Sequence, residues 1–361
     1  MRFGSWVFPI SQNSKNDGHV IDDTLTEIDR WEALGFDSIW LSEHHFDGAT
    51  AYADPVVFAG AIAQRTKNVT IGFAVVEMAL HHPVRLAAQV ALLDHLSKGR
   101  MMLGTGKGSA FNEYEYIGFG VPMSDAADSI SEAEEIILEA WSGKPVQFKG
   151  KYWDLAFPEL RPMPLQKPHP PFLRACISRE STIEMGFKRR PILIAAQDNH
   201  SIKDRLQVFT KSLESTEITE SGMEDILDQV WVNKNIVVAE SRSEAEEIAF
   251  DGYTREQTFF KVARDKYNPK SGSPGLSKPR EISKKDFDNI FITGTPRDVA
   301  EQISELDKIG VKNLMMKINT GEMDRSIVFR TMDLLAEHDA SIHFSSVNLH
   351  HEIFHTYFIQ F

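Results

Sequence analysis

The chain has 361 residues, 42% of them hydrophobic and 25% charged, and 39 basic against 52 acidic side chains give a formal net charge of -13. That apolar mass excludes a disordered chain, and 22 Gly with 16 Pro exclude a collagen-like or low-complexity array. The acidic balance argues against a nucleic-acid protein, which needs a basic face to displace counterions.

One cysteine, Cys176, leaves no internal disulfide framework and no cysteine-based zinc site. The opening run lacks the longer apolar core of a signal peptide, and no apolar stretch reaches membrane-spanning length. The expected address is cytoplasmic, with no membrane partner.

In chain order, residues 2–8 read as a first strand. Residues 21–34 read as a helix, because Ile21, Leu25, Ile28, Trp31 and Leu34 recur at helical spacing before the stop at Gly35. A strand at 37–41, a helix at 55–65, a β-branched strand at 69–76 and a helix at 83–96 follow, and both helices open on proline. Residues 100–104 form the fourth strand, 129–141 an acidic helix, and 143–167 an insertion holding four prolines.

Strands at 171–178, 192–196, 230–238 and 311–318 alternate with helices at about 179–188, 202–213, 243–266, 296–309 and 324–337. Eight such units predict a (β/α)8 TIM barrel occupying 1–337 as a single domain. A doubly wound sheet would need a Gly-rich turn after its first strand, and Phe8-Pro9-Ile10-Ser11 supplies none. The Pro- and Gly-rich run 268–285, between the seventh and eighth strands, reads better as a mobile lid loop than as a linker. Residues 338–361 form an atypical C-terminal tail.

Barrel chemistry sits at the C-terminal strand ends. After the second strand comes Ser42-Glu43-His44-His45-Phe46, a carboxylate and two imidazoles able to manage protons near neutrality. His81-His82 follows the third. Adjacent histidines on extended chain point to opposite sides, so each pair offers one inward ligand at most, and without ligand spacing no metal is expected.

Gly104-Thr105-Gly106-Lys107-Gly108-Ser109 can cradle a phosphate with backbone N–H groups and a lysine, although a plain turn reads equally well and neither dinucleotide motif is matched. Ser178 and Ser181 open a helix, either as phosphate-binding hydroxyls or as simple caps. Phe8, Trp40, Phe46 and Phe111, with His82, are candidates to line an apolar substrate pocket, and core packing explains the aromatic rings equally well. His351-Glu352-Ile353-Phe354-His355 spells a zincin motif but lies in the tail, outside the repeating pattern, and reads as a chance match. Cys176 reads as a small core residue.

Glu32-Ala33-Leu34-Gly35-Phe36-Asp37-Ser38-Ile39-Trp40 with Glu43-His44-His45 resembles the second-strand motif of bacterial luciferase-like, flavin-dependent monooxygenases. His82-Pro83-Val84-Arg85, then Leu92-Leu93-Asp94-His95-Leu96-Ser97-Lys98-Gly99-Arg100, and later Gly294-Thr295-Pro296 with Gly310-Val311, are similar to further motifs of that family in the same order. The resemblance spans about 1–337 and implies a barrel, usually dimeric, that takes reduced FMN from a separate flavin reductase. Dioxygen then adds at the flavin C4a atom, and the peroxide oxidises a small apolar organic molecule, aldehyde-like or terpenoid-like.

By the same resemblance His44 is the proton manager, with His45 beside it, and Glu43 belongs to the cofactor site. Ala74-Val75 falls where the family carries a non-proline cis peptide against the flavin ring. Lys107, Ser178 and Ser181 fall on phosphate-binding positions, beside Gly104 and Gly106. Ser124-Asp125-Ala126-Ala127-Asp128 lacks a second phosphate arginine and Gly106 replaces a reactive cysteine, which implies a weak, transient hold on flavin. Hydride transfer with F420, or a non-catalytic flavin-binding role, are the alternatives on this fold.

Overall fold

Eight parallel strands close into a ring: β1 (Arg2–Val7), β2 (Ser38–Leu41), β3 (Thr70–Phe73), β4 (Met101–Gly106), β5 (Phe172–Ala175), β6 (Ile192–Ile194), β7 (Trp231–Val238) and β8 (Asn313–Lys317). β8 pairs back onto β1 from Arg2↔Asn313 to Ser5↔Met316, so the predicted (β/α)8 barrel is closed. This is a computed structural model that describes residues 1–109, 111–269 and 284–343. Most of the expected lid at 268–285, and the tail from 344 with its zincin-like motif, lie outside those residues.

The helices start where their chemistry directs. Pro55–Arg65 opens on a proline behind Asp54, whose carboxylate accepts from the N–H groups of Val56 and Val57. Pro83–Leu96 also opens on proline, and Pro296–Lys308 carries a reciprocal cap between Thr295 and Asp298. Helix Ala126–Ala140 is fastened to the barrel by a buried ionic knot: Glu134 accepts from Arg174 of β5, from Arg190 and from Thr105 of β4. Breaking one partner of such a knot strands a buried charge, at roughly 3–5 kcal/mol.

Several elements were not anticipated. Val146–Lys149 and Asp154–Phe157 form an antiparallel hairpin inside the insertion, held where Glu132 accepts from the N–H groups of Lys151 and Tyr152. Buried Asp94 accepts from the backbone and side chain of Gln166, tying the insertion's other end to helix Pro83–Leu96. Short helices Glu113–Phe119 and Glu220–Leu227 fill stretches that read as loop. The strand Phe291–Gly294 pairs with the end of β7 beyond the ring, from Asn235↔Phe291 to Val238↔Gly294.

The barrel interior is built around one indole. Trp40 is wholly buried with Met102, Leu173, Leu193, Trp231 and Met315, and Trp231 lies 5.1 Å from it, centroid to centroid. Room for it comes from glycines on the flanking strands: a Cβ on Gly4 would meet the Trp40 ring at 2.9 Å, and one on Gly72 at 2.5 Å. Trp40, an expected pocket residue, is therefore a core residue of the barrel floor. Gly72→Ala should overpack this layer and destabilise by roughly 1–3 kcal/mol, read from the denaturant midpoint, and an unchanged midpoint would mean that the indole moves freely.

Candidate active site

Strand β2 ends at Leu41, and the next four residues enter the C-terminal mouth of the barrel. Glu43 is buried and accepts from three groups: His45 Nε2 at 2.7 Å, His81 Nε2 at 2.8 Å and the backbone N–H of Glu77 at 2.6 Å. Burial alone would raise its pKa, but the His45 and His81 hydrogen bonds outweigh burial and hold it at about 2. Expected to touch cofactor, Glu43 instead has its oxygens occupied by protein donors and acts as a buried anchor. His45 likewise turns from His44, packing edge-on against Phe119 with ring centroids 4.7 Å apart.

His44 faces a different set of groups. Its Nδ1 donates to Glu115 Oε1 at 3.1 Å and lies 4.0 Å from Glu77 Oε1, while its ring sits edge-on to Phe8 and Phe260, 5.2 and 5.5 Å between centroids. Glu115, fully buried, also accepts from the backbone N–H of His45 at 2.8 Å. Burial disfavours the imidazolium, yet the Glu115 hydrogen bond and the charges of Glu115, Glu77 and Asp47 push the His44 pKa up to about 9. Its Nε2 meets no acceptor among the described residues and is the nitrogen left for a ligand.

Glu77 Oε2 and Glu115 Oε2 are buried without a partner. Burial, followed by the negative charge of Glu115, raises the Glu77 carboxyl well above its ordinary range. His44, Glu77 and Glu115 keep ligand atoms within 4.8 Å of one another and are also the set that could hold a cation. No metal was expected from the sequence, which does not show that these side chains meet.

The cofactor candidates line the same mouth. The Ala74–Val75 peptide is cis, and its Ala74 carbonyl accepts from Trp6 Nε1 at 2.8 Å. A Cβ on Gly106 would lie 2.6 Å from Val75, and one on Gly104 would strike the Phe73 carbonyl, so both glycines let the third strand's end lie against β4. Trp6, Ala74, Val75 and Ala175 form a partly open apolar floor over the barrel core.

On neighbouring β4 and β5, Lys107 is exposed, and exposed Ser178 caps helix Arg179–Phe187 by accepting from the Ser181 N–H. Arg205, unremarked in the sequence, donates to the Ser178 carbonyl and to Thr182 Oγ1, both at 2.9 Å. A flat apolar floor beside the Ser178 and Ser181 hydroxyls and an exposed lysine fits a ring-and-phosphate cofactor, although the amides of Ser181 and Thr182 are already taken by Ser178.

Of the substrate candidates, Phe8 and Phe111 join His44's surroundings. Phe8 stacks on Phe260 at 5.7 Å, and Arg264 lies over Phe111 and Phe260. Phe46 does not join them. It is 53% exposed, with φ 60°, and its ring lies against Phe119. His82 is exposed and packs edge-on against Trp153 of the insertion, 5.0 Å between centroids. Its neighbour His81 is the inward member of that pair. Cys176 is buried, and burial pushes its thiol up to about 11.

A closed parallel barrel with titratable groups gathered at the strand ends defines a protein of the (β/α)8 class whose candidate site lies at its C-terminal mouth. The chain belongs to the luciferase-like monooxygenase family, whose sequence profile matches residues 1–313. It is 33% identical to limonene 1,2-monooxygenase of Rhodococcus erythropolis over 41% of this chain and 38% of that one. It is also 33% identical to the F420-dependent glucose-6-phosphate dehydrogenase of Amycolatopsis mediterranei, over 40% and 45%. The chain spans about half or less of the curated relatives it matches.

Among solved structures, a monooxygenase from Streptomyces bottropensis superposes with TM-score 0.80 at 22% identity, covering 95% of this chain and 100% of that one. The oxygenating constituent of 3,6-diketocamphane monooxygenase from Pseudomonas putida, in complex with FMN, gives 0.75 at 21% identity over 93% and 97%. These likenesses establish the fold. The family includes flavin-dependent monooxygenases and F420-dependent enzymes.

Glu115→Gln should lower the His44 pKa from about 9 toward or below its ordinary 6.5, as an NMR titration of the ring would read. A raised folded pKa stabilises fully below the unfolded value and loses that contribution as pH rises through about 9. The variant should therefore lose that pH-dependent stability across the window from 6.5 to 9. An unmoved His44 titration would show that Glu115 does not set its charge.

Proposed function

We propose that this chain is the oxygenase component of a two-component flavin-dependent monooxygenase, taking reduced FMN from a separate reductase and using dioxygen to oxidise a small organic substrate. The observation that carries the reading is His44: Nδ1 is tied to buried Glu115 while Nε2 is left free beside Phe8 and Phe260. Reduced flavin, when bound, supplies the electrons that activate dioxygen. The protein's part is to hold and exclude.

Ala74, Val75 and Trp6 offer the apolar face for a planar ring, and Gly106 lets that face lie close to β4. Lys107, Ser178 and Ser181 would take the phosphate. Phe8 and Phe260 keep water from the imidazole. His44, protonated across neutral pH, presents an Nε2–H that can be given up and regained. Val57, Leu92 and Leu96 are exposed on helices Pro55–Arg65 and Pro83–Leu96 and support docking of a second copy as a homodimer. No described helix is long and apolar enough to cross a membrane.

An F420-dependent hydride transfer is the competing reading, favoured by the F420-dependent relative above. Supplying each reduced cofactor in air separates the two: oxygen-dependent product with reduced FMN alone supports the proposal, and turnover of F420 without oxygen defeats it. His44→Ala should lower the product-forming rate roughly 10²–10⁴-fold without unfolding the protein, and an unaffected rate would move the proton manager elsewhere. Lys107→Ala should weaken reduced FMN binding, and equal affinities would remove Lys107 from the phosphate site.

A further inference from the structure

We infer that Arg264 makes this cleft selective for substrates bearing a carboxylate or similar planar oxyanion on an apolar body, an inference that rests on the substrate binding beside His44 as proposed above.

Helix Arg242–Tyr267 carries Phe260 and Arg264 one turn apart. The Arg264 guanidinium carbon lies 5.2 Å from the Phe260 ring centroid and 5.5 Å from that of Phe111, so two aromatic rings flank it. Its Nε donates to Asn112 Oδ1 at 2.9 Å, and the Asn112 amide nitrogen lies 3.3 Å from His44 Nδ1. A single side chain therefore separates this cation from the His44 ring, and Phe260 touches both.

The terminal nitrogens of Arg264 meet no acceptor among the described residues. The carboxylates nearby form no hydrogen bond to it: Glu115 Oε1 accepts from His44 and the His45 backbone while its Oε2 stays unpaired and reaches Arg264 only through its charge, and Asp47 accepts from Ala49, Thr50 N–H and the Thr50 hydroxyl. Lys317, beneath Trp6 and Phe8, is paired with buried Glu256. A half-buried guanidinium held between rings, with its Nε occupied and its forked end unclaimed, is shaped to take two oxygens at once. Phe8, Phe260 and Phe111 would take the apolar body.

The experiment measures binding without flavin, by calorimetry, of 4-phenylbutyrate and its neutral amide 4-phenylbutyramide to the full chain. Wild type should bind the acid at least tenfold more tightly, Arg264→Met should bring the ratio to about one, and Arg264→Lys should restore part of it. Thermal unfolding of each variant confirms that it is folded. Equal binding of acid and amide by wild type, or an unchanged preference in Arg264→Met, would overturn the inference. Reduced FMN affinity on the same preparations keeps the two readings apart. Acid preference without flavin binding would sink the monooxygenase and leave Arg264 standing, whereas flavin binding without acid preference would do the reverse.

Discussion

A buried carboxylate that cannot be left alone organises the mouth of this barrel. Glu43 gathers one donor from its own turn, one from the start of the third strand's extension and one from the segment leading to helix Pro83–Leu96. An isolated anion there would be prohibitively costly, so those segments are held in register by the need to satisfy it. Once Glu43 takes His45 to one side, His44 faces the other, and the backbone N–H of His45 is aimed at Glu115. The imidazole proposed to manage protons is thus placed by a residue that does not touch it.

Below this layer, shape takes over from charge. The floor accepts a full indole because β1 and β3 surrender their side chains at Gly4 and Gly72. The same economy recurs higher up, where Gly104 and Gly106 let the Ala74–Val75 segment approach. Large and absent side chains alternate around the ring, as close packing in a small barrel requires. The ionic knot of Glu134, Arg174 and Arg190 lies outside the ring and keeps the adjoining helix and strands fixed beneath the phosphate candidates.

The barrel was legible because strand and helix patterns alternate along the chain, with proline opening three of the helices at Pro55, Pro83 and Pro296. The strand-end positions of His44, Lys107, Ser178 and Ser181 were legible because strand ends are where a barrel offers side chains to a ligand, and their roles are those proposed above. The proton partner was not. Glu115 lies in Glu113–Phe119, seven residues with too little periodicity to declare a helix, and nothing local ties it to a histidine 71 positions earlier. Trp40 was misjudged because both faces of a buried parallel strand are apolar, so alternation does not distinguish floor from pocket. His81 and His82 were exchanged for the same reason: sequence shows that two neighbours diverge, not which of them faces inward. Arg264 was missed because its value lies in what fails to pair with it.

The single cysteine gives the molecule a property unrelated to packing. Oxidants attack the thiolate rather than the thiol, and Cys176 lies close behind the Ser178 turn with burial pushing its pKa to about 11. At neutral pH almost none of it is ionised. An oxygenase of the proposed kind, handling reduced flavin beside dioxygen, is exposed to the hydrogen peroxide that leaks when no substrate is present. A chain whose one sulfhydryl is both enclosed and electronically quiet resists oxidation at that position.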